Sequence, residues 1–169
     1  MIGNVLTANL DSLSQNQGGV LSAEAGQLTL TVKQHLNNAL GHLQAKNGDV
    51  QIGSGSLNNQ GGVVVGNQLL LTNNGLLDNR GGQLVGDRLS LSTQRLDNQG
   101  AGLLAAGSDG LLLTLTADGA TPGQLLNSQG RLQSDGHLQV NGGQLNNSGG
   151  VILGESVGIN AAGLDNSAR

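Results

Sequence analysis

Apolar and polar residues alternate along this chain in short runs separated by turn residues. In residues 77–95, Leu89 and Leu91 alternate with Arg88, Ser90 and Ser92. Such a period of two marks a half-buried strand. Leu84 stands between Gln83 and Val85 with Gly82 and Gly86 outside them, a second short strand between turns. Leu77 and Asn79 flank Asp78 in a third. The alternation predicts Leu77, Leu84, Leu89 and Leu91 facing inward, with Arg88 and Ser90 facing outward. The stretches GGVVVGNQLLLTNNGLLDN and GGVILGESVGINAAGLDN read the same way. No window carries a capped i, i+3, i+4 stripe. The nearest case, VKQHLNNALGHLQAK, is broken by Asn37-Asn38 and Gly41.

The strand pattern itself recurs, and internal repeats decide a fold before any single element does. Counting on the last residue of L-[ND]-N gives Asn16, Asn38, Asn59, Asn79, Asn98, Ser128, Asn147 and Asn166, at spacings of 22, 21, 20, 19, 30, 19 and 19. A Leu precedes the counter by two residues in every copy but the first, where Ser14 stands. A Gly pair follows at Gly18-Gly19, Gly61-Gly62, Gly81-Gly82 and Gly149-Gly150, and decays to Leu40-Gly41, Gly100-Ala101 and Gly130-Arg131. One repeat buries too little to stand alone, so successive repeats must pair. Strands related by translation run parallel. The expected fold is all-β: a right-handed parallel β-helix with about 19–20 residues and three short strands per coil, the hand following from the crossover rule. Residues 1–169 form one repeat segment with an insertion in the coil around 107–125. At about 4.8 Å per coil, seven intervals make a rod of roughly 34 Å. Leu columns fill the interior, and Asn16, Asn38, Asn59, Asn79, Asn98, Asn147 and Asn166 form a corner ladder of stacked amides. A leucine-rich-repeat horseshoe has a similar period but places Asn three residues after L-x-L, where this chain has Gln94, and it needs a helical half that is missing.

Composition fits a thin core. The chain has 30 Gly and 32 Leu, no Phe, Trp, Tyr or Cys, and a single Pro, Pro122. With no Cys there are no disulfides or thiolate metal sites. Seven basic residues against 11 acidic ones leave a net charge of −4, which speaks against nucleic acid as a partner. No apolar run approaches the ~20 residues of a membrane span. The N-terminal MIGNVLTANLDS has neither the basic segment nor the apolar stretch of a signal peptide.

The pattern L-[DN]-N-x-G-G-x-[LIV]-x-G-x-x-L-x-L resembles the haemagglutinin-type repeats of filamentous haemagglutinins, the large exoproteins of bacterial two-partner secretion that include contact-dependent inhibition proteins. LNNQGGVVVGNQLLL, LDNRGGQLVGDRLSL and LNNSGGVILGESVGI carry it most clearly, and it extends from about Ser14 to Asn166. The resemblance implies a right-handed β-helical shaft, secreted through a partner outer-membrane barrel and displayed on the bacterial surface. It also implies flanking coils of a parent exoprotein as neighbours. The second copy and the 30-residue copy depart from the pattern.

Little in the sequence points to chemistry. Asp78, Asp97 and Asp165 share one repeat position, but Asn37, Asn58, Asn127 and Asn146 fill the same slot, as corner residues do. Two stacked carboxylates cannot supply the six or more oxygens that Ca²⁺ takes. Arg80, Arg88 and Arg95 read as surface partners of these acids, and Asp109-Gly110, Asp118-Gly119 and Asp135-Gly136 as turns. His35, His42 and His137 are scattered. No metal, cofactor or catalytic residue is expected. The long copy exceeds its 19-residue neighbours by 11, placed between Gly107 and Leu125. Excursions from a regular scaffold are where binding sites tend to sit, which makes Thr116, Asp118, Thr121 and Pro122 the candidate binding residues. The leading expectation is a passive shaft holding a functional tip away from the cell. The alternative is an adhesive module for a host or bacterial surface receptor, such as a host or biofilm glycan, using the helix side or the excursion. A third, polysaccharide cleavage, lacks clustered carboxylates and aromatic platforms.

Overall fold

The computed structural model describes residues 1–12 and 16–168, so Ser14 lies outside the described residues. The chain winds as a parallel β-solenoid of about eight turns, without helix among the described residues. Its 19 strands join in one continuous sheet, and every strand-to-strand ladder is parallel. The run that came nearest to a helix is two strands, Leu28–Asn37 and His42–Ala45.

Each coil has three strand positions. The coil after Asn59 shows them separately as Val63–Val65, Gln68–Asn73 and Leu76–Asp78. In the next coil the expected break at Gly86 is absent, and Gln83–Thr93 is one strand with a bend in it. The backbone there keeps its bonds to the preceding coil: Asp87 and Arg88 N–H both donate to Asn67 O, at 2.7 and 3.2 Å. The residue pairing still breaks at this corner: Val85 pairs with Val65 and Arg88 with Gln68, and the register to the next coil shifts between Gly86 and Arg88.

Register explains why aliphatic residues recur at fixed phase. Val64, Leu84, Leu104 and Leu132 stack in the first strip. Leu69, Leu89, Leu111 and Leu138, and beside them Leu71, Leu91, Leu113 and Val140, stack in the second. Leu57, Leu77, Leu96, Leu125 and Leu145 stack in the third. All are buried. Leu77, Leu84, Leu89 and Leu91 therefore face inward, while Arg88 is exposed and Ser90 is half-buried on the outer face. Four columns of similar side chains fill a space three strands wide, and no aromatic is needed. Each fully buried Leu is worth about 1.5–3 kcal/mol.

The third strip corrects one alignment. Leu96 pairs with Leu125 and Leu125 with Leu145, so Leu125 is the core residue of the long coil and Leu126 takes the slot of Asp97 and Asn146. Asn127, not Ser128, then stands in the Asn position, and it does not share the slot of Asn37, Asn58 and Asn146.

Candidate functional site

The corner between the third strip and the next coil holds two adjacent polar columns and one of glycine. In the inner column the asparagines are linked Nδ2 to Oδ1, coil to coil, and all but the exposed Asn166 at the end are buried. The bonds run Asn16 to Asn38 (2.6 Å), Asn38 to Asn59, Asn59 to Asn79, Asn79 to Asn98 and Asn98 to Asn127 (each 2.7 Å), Asn127 to Asn147 (2.6 Å) and Asn147 to Asn166 (2.7 Å). The Nδ2 groups of Asn38, Asn59, Asn79, Asn127 and Asn147 also reach the carbonyl three residues on, as Asn79 does to Gly82 at 3.2 Å, and that of Asn98 reaches the one four residues on. Each interior amide thus donates and accepts, which removes the cost of burying it.

The outer column makes Asx turns. The side-chain oxygens of Asn37, Asn58, Asp78, Asp97, Asn146 and Asp165 accept from the backbone N–H two residues on, at 3.0–3.3 Å. Asn and Asp both serve because only an acceptor is required. Leu126 breaks this column.

Glycine follows for a steric reason. A Cβ on Gly41, Gly62, Gly82, Gly102, Gly130 or Gly150 would meet the carbonyl oxygen of the ladder Asn in the preceding coil well inside 3.0 Å. The residue before it needs only a positive φ, and Leu40 (56°) and Gln129 (60°) supply it as Gly81 (62°) does. The pair therefore does not decay to Gly130-Arg131. The second position stays Gly in every coil, and the first is free to vary.

The Asp78 carboxylate carries the strongest local electrostatics. Arg80 grips it with Nε at 2.9 Å and Nη2 at 2.6 Å, Gln60 Nε2 adds a bond at 2.8 Å, and Arg80 Nε lies 3.9 Å from Asp97. Burial pushes the Asp78 carboxyl up, but the bonds from the Arg80 side chain and backbone and from Gln60 outweigh it and hold the group below its ordinary value. Arg88 and Arg95 are exposed outside this cluster. Asp165 is at the far end of the column, exposed.

The excursion is distributed. Asn98 to Asn127 spans 29 residues against 19 for Asn79 to Asn98. One of the ten extra residues sits in the corner Gly100–Gly102, two enter where Gly86 pairs with Ala106 but Arg88 with Gly110, and seven lie between Leu115 and Gln124. Only these seven project. Asp118 and Thr121 exchange both backbone hydrogen bonds, at 3.0 and 2.9 Å, around Gly119 with φ 56°. That is a two-residue hairpin with Gly at its first central position. Asp118, Thr121 and Pro122 are exposed and Thr116 is half-buried. They form a knob on the side of the solenoid, with no acid, base or cation gathered around it among the described residues.

No family model, no curated protein and no solved structure matches the chain.

The histidines do not converge: His35 Nδ1 is 2.5 Å from Ser56 Oγ, His137 Nδ1 is 2.7 Å from Ser156 Oγ, and His42 sits on the outer face opposite Val20 and Val63. Among the described residues no group of three His, Asp or Glu side chains could hold a metal, and no helix is long and apolar enough to cross a membrane. An open groove of about 410 Å³ over Gln124, Gln144, Gly163 and Asp165 contains one carboxylate. The sequence reading missed Asn127 as a ladder member. The signal that finds it is chemical: a ladder rung must donate and accept through a side chain long enough to reach its neighbour, which Asn does and Ser does not.

Proposed function

We propose that this chain is a structural shaft segment of a secreted bacterial surface exoprotein, an adhesin or a contact-dependent inhibition protein, that extends a functional tip from the cell. The observation that carries the reading is the unbroken amide ladder from Asn16 to Asn166, which passes through the coil with the excursion as through the others. A rod needs the same contact at every step, and its variable residues belong on the outside. Both hold here. On this reading the natural neighbours of the two terminal coils are further coils of the parent chain, the export partner is an outer-membrane barrel, and the segment catalyses nothing.

The test has two arms. Duplicating residues 77–95 adds one coil, and small-angle scattering then shows a rod longer by about 4.8 Å with the same cross-section. On an array of host and biofilm glycans the chain binds none. Specific binding that disappears when residues 116–122 are deleted would replace the shaft with the second reading, an adhesive module that uses the excursion.

A further inference from the structure

Three Asn-Gly pairs occur in the chain, Asn47-Gly48, Asn74-Gly75 and Asn141-Gly142, and none of the ladder asparagines is followed by Gly. A glycine after asparagine leaves the following backbone nitrogen unshielded by a Cβ, so it can approach the side-chain carbonyl. Structure fixes all three glycines. A Cβ on Gly48 would strike the carbonyl of Gly26 in the preceding coil, one on Gly75 would lie 3.1 Å from Gly55 O, and Gly142 has a φ of 83°. What distinguishes the pairs is the state of the glycine N–H. Gly75 N–H donates to Asn73 Oδ1 at 2.8 Å, and Gly142 N–H donates to Asn160 O at 2.7 Å. Gly48 N–H has no acceptor among the described residues. Asn47 is exposed at the same corner, and its amide makes one solvent-exposed bond, Nδ2 to Glu24 O at 3.1 Å.

We propose that Asn47 is a site of spontaneous deamidation, and that Asn73 protects Asn74 by occupying the Gly75 nitrogen. Gly48 N attacks Asn47 Cγ. The N–Cγ bond forms, the Cγ–Nδ2 bond breaks, and ammonia leaves with the proton that Gly48 N–H releases. Water then opens the cyclic imide at either carbonyl to give aspartate or isoaspartate. The product adds a negative charge next to Asp49 and takes the Nδ2 donor away from Glu24 O. The ladder is spared, because its interior amides are bonded on both sides and none of its asparagines precedes Gly.

Lys46 and Arg80 bound a single tryptic peptide, residues 47–80, that contains both Asn47 and Asn74. The folded chain is held at mildly alkaline pH, digested in mild acid, and its amide-to-acid conversion located by tandem mass spectrometry. Asn47 converts roughly three- to tenfold faster than Asn74, the factor one hydrogen bond is worth. In urea the two convert at similar rates. Asn73→Ala, with its circular dichroism unchanged, accelerates Asn74 severalfold and leaves Asn47 as it was. If that variant unfolds, the comparison of folded and urea-treated native chain decides alone. Equal rates at Asn47 and Asn74 in the folded chain would overturn the proposal.

Discussion

A Cβ on Gly81 would find nothing nearer than Gly100 O at 3.6 Å, whereas one on Gly82 would collide with Asn59 O and lie 2.7 Å from Asn79 Oδ1. The two neighbours therefore differ in what they tolerate. Gly81→Ala should cost about 1 kcal/mol, the strain of a left-handed residue. Gly82→Ala should cost more than about 2 kcal/mol, because it overpacks a backbone contact and pries open the ladder beside it. Urea titration of both variants checks the order, and equal costs would mean the corner yields without strain. Charge gives a second prediction at this scale. The Asp78 carboxyl is held below its ordinary value once folded, so its contribution to stability is present above the unfolded value of about 3.9 and is lost as pH falls through the folded one. Arg80→Ala should make the loss of stability as pH falls below the ordinary carboxylate value shallower while leaving the fold intact. Arg80 is half-exposed, so solvent screens the pair and the effect stays modest. An unchanged acid limb in thermal melts would assign the acid sensitivity to other carboxylates.

At the scale of the strand, alternation decides which face is which, and one substitution pair reads it. Leu89→Ala should cost about 2–5 kcal/mol and Ser90→Ala close to nothing, since Leu89 is fully buried and Ser90 lies on the outer face. Similar losses from both would mean the register is off by one residue, which exchanges the faces. The three strips were legible in the sequence because Leu, Ile and Val keep a period of two within a strand and a period of one coil between strands. The long coil was not fully legible, for a physical reason. LLNS offers two alignments to L-[ND]-N: Leu125-Leu126-Asn127 lacks the middle residue and Leu126-Asn127-Ser128 lacks the last. Counting matches cannot separate them. The structure chooses the first, since a missing Asx turn loses one exposed-side bond, while a missing rung would leave the Asn98 and Asn147 amides unpaired inside. The Gly pair misled in the same way. Two adjacent glycines look like one feature, yet one provides a backbone angle and the other provides space. Leu40 and Gln129 show that only the second demands glycine. The placement of the ten extra residues was not legible either, because additions at three corners conserve every strand and leave no trace in the alternation.

For the molecule as a whole, the ladder gives the rod a direction. Every rung donates from Nδ2 toward the C-terminal coil, so the Asn16 carbonyl oxygen has no rung before it and the Asn166 amide nitrogen has none after. The two terminal coils are also bare in phase with the core. Val157, Ile159 and Leu164 continue the buried columns of Leu138, Val140 and Leu145 but are 38–50% exposed. Leu153 belongs to a different surface, since it pairs with Gln133 on the outer face. At the other end Ala8 and Leu10 continue the columns of Leu30 and Val32 and are only half-buried. In a longer shaft, further coils cover these faces. In the 169-residue chain they are open strand edges backed by aliphatic side chains, which template pairing unless polar caps protect them. Parallel pairing and the one-way ladder both favour head-to-tail contact, with the C-terminal coil of one molecule against the N-terminal coil of the next. Such a heterologous contact does not close on itself, so association should continue to chains rather than stop at a dimer. Light scattering over a wide dilution series should show a mass that rises steadily with concentration, with refractive index as the concentration signal because the chain has no aromatic residue to absorb. Replacing Val157 and Ile159 with Lys should abolish the rise, because charge on the bare face blocks stacking. A mass that stays monomeric at high concentration, with both terminal coils ordered, would show that the ends cap themselves, and a plateau at the dimer would show a symmetric contact that the direction of the ladder does not allow.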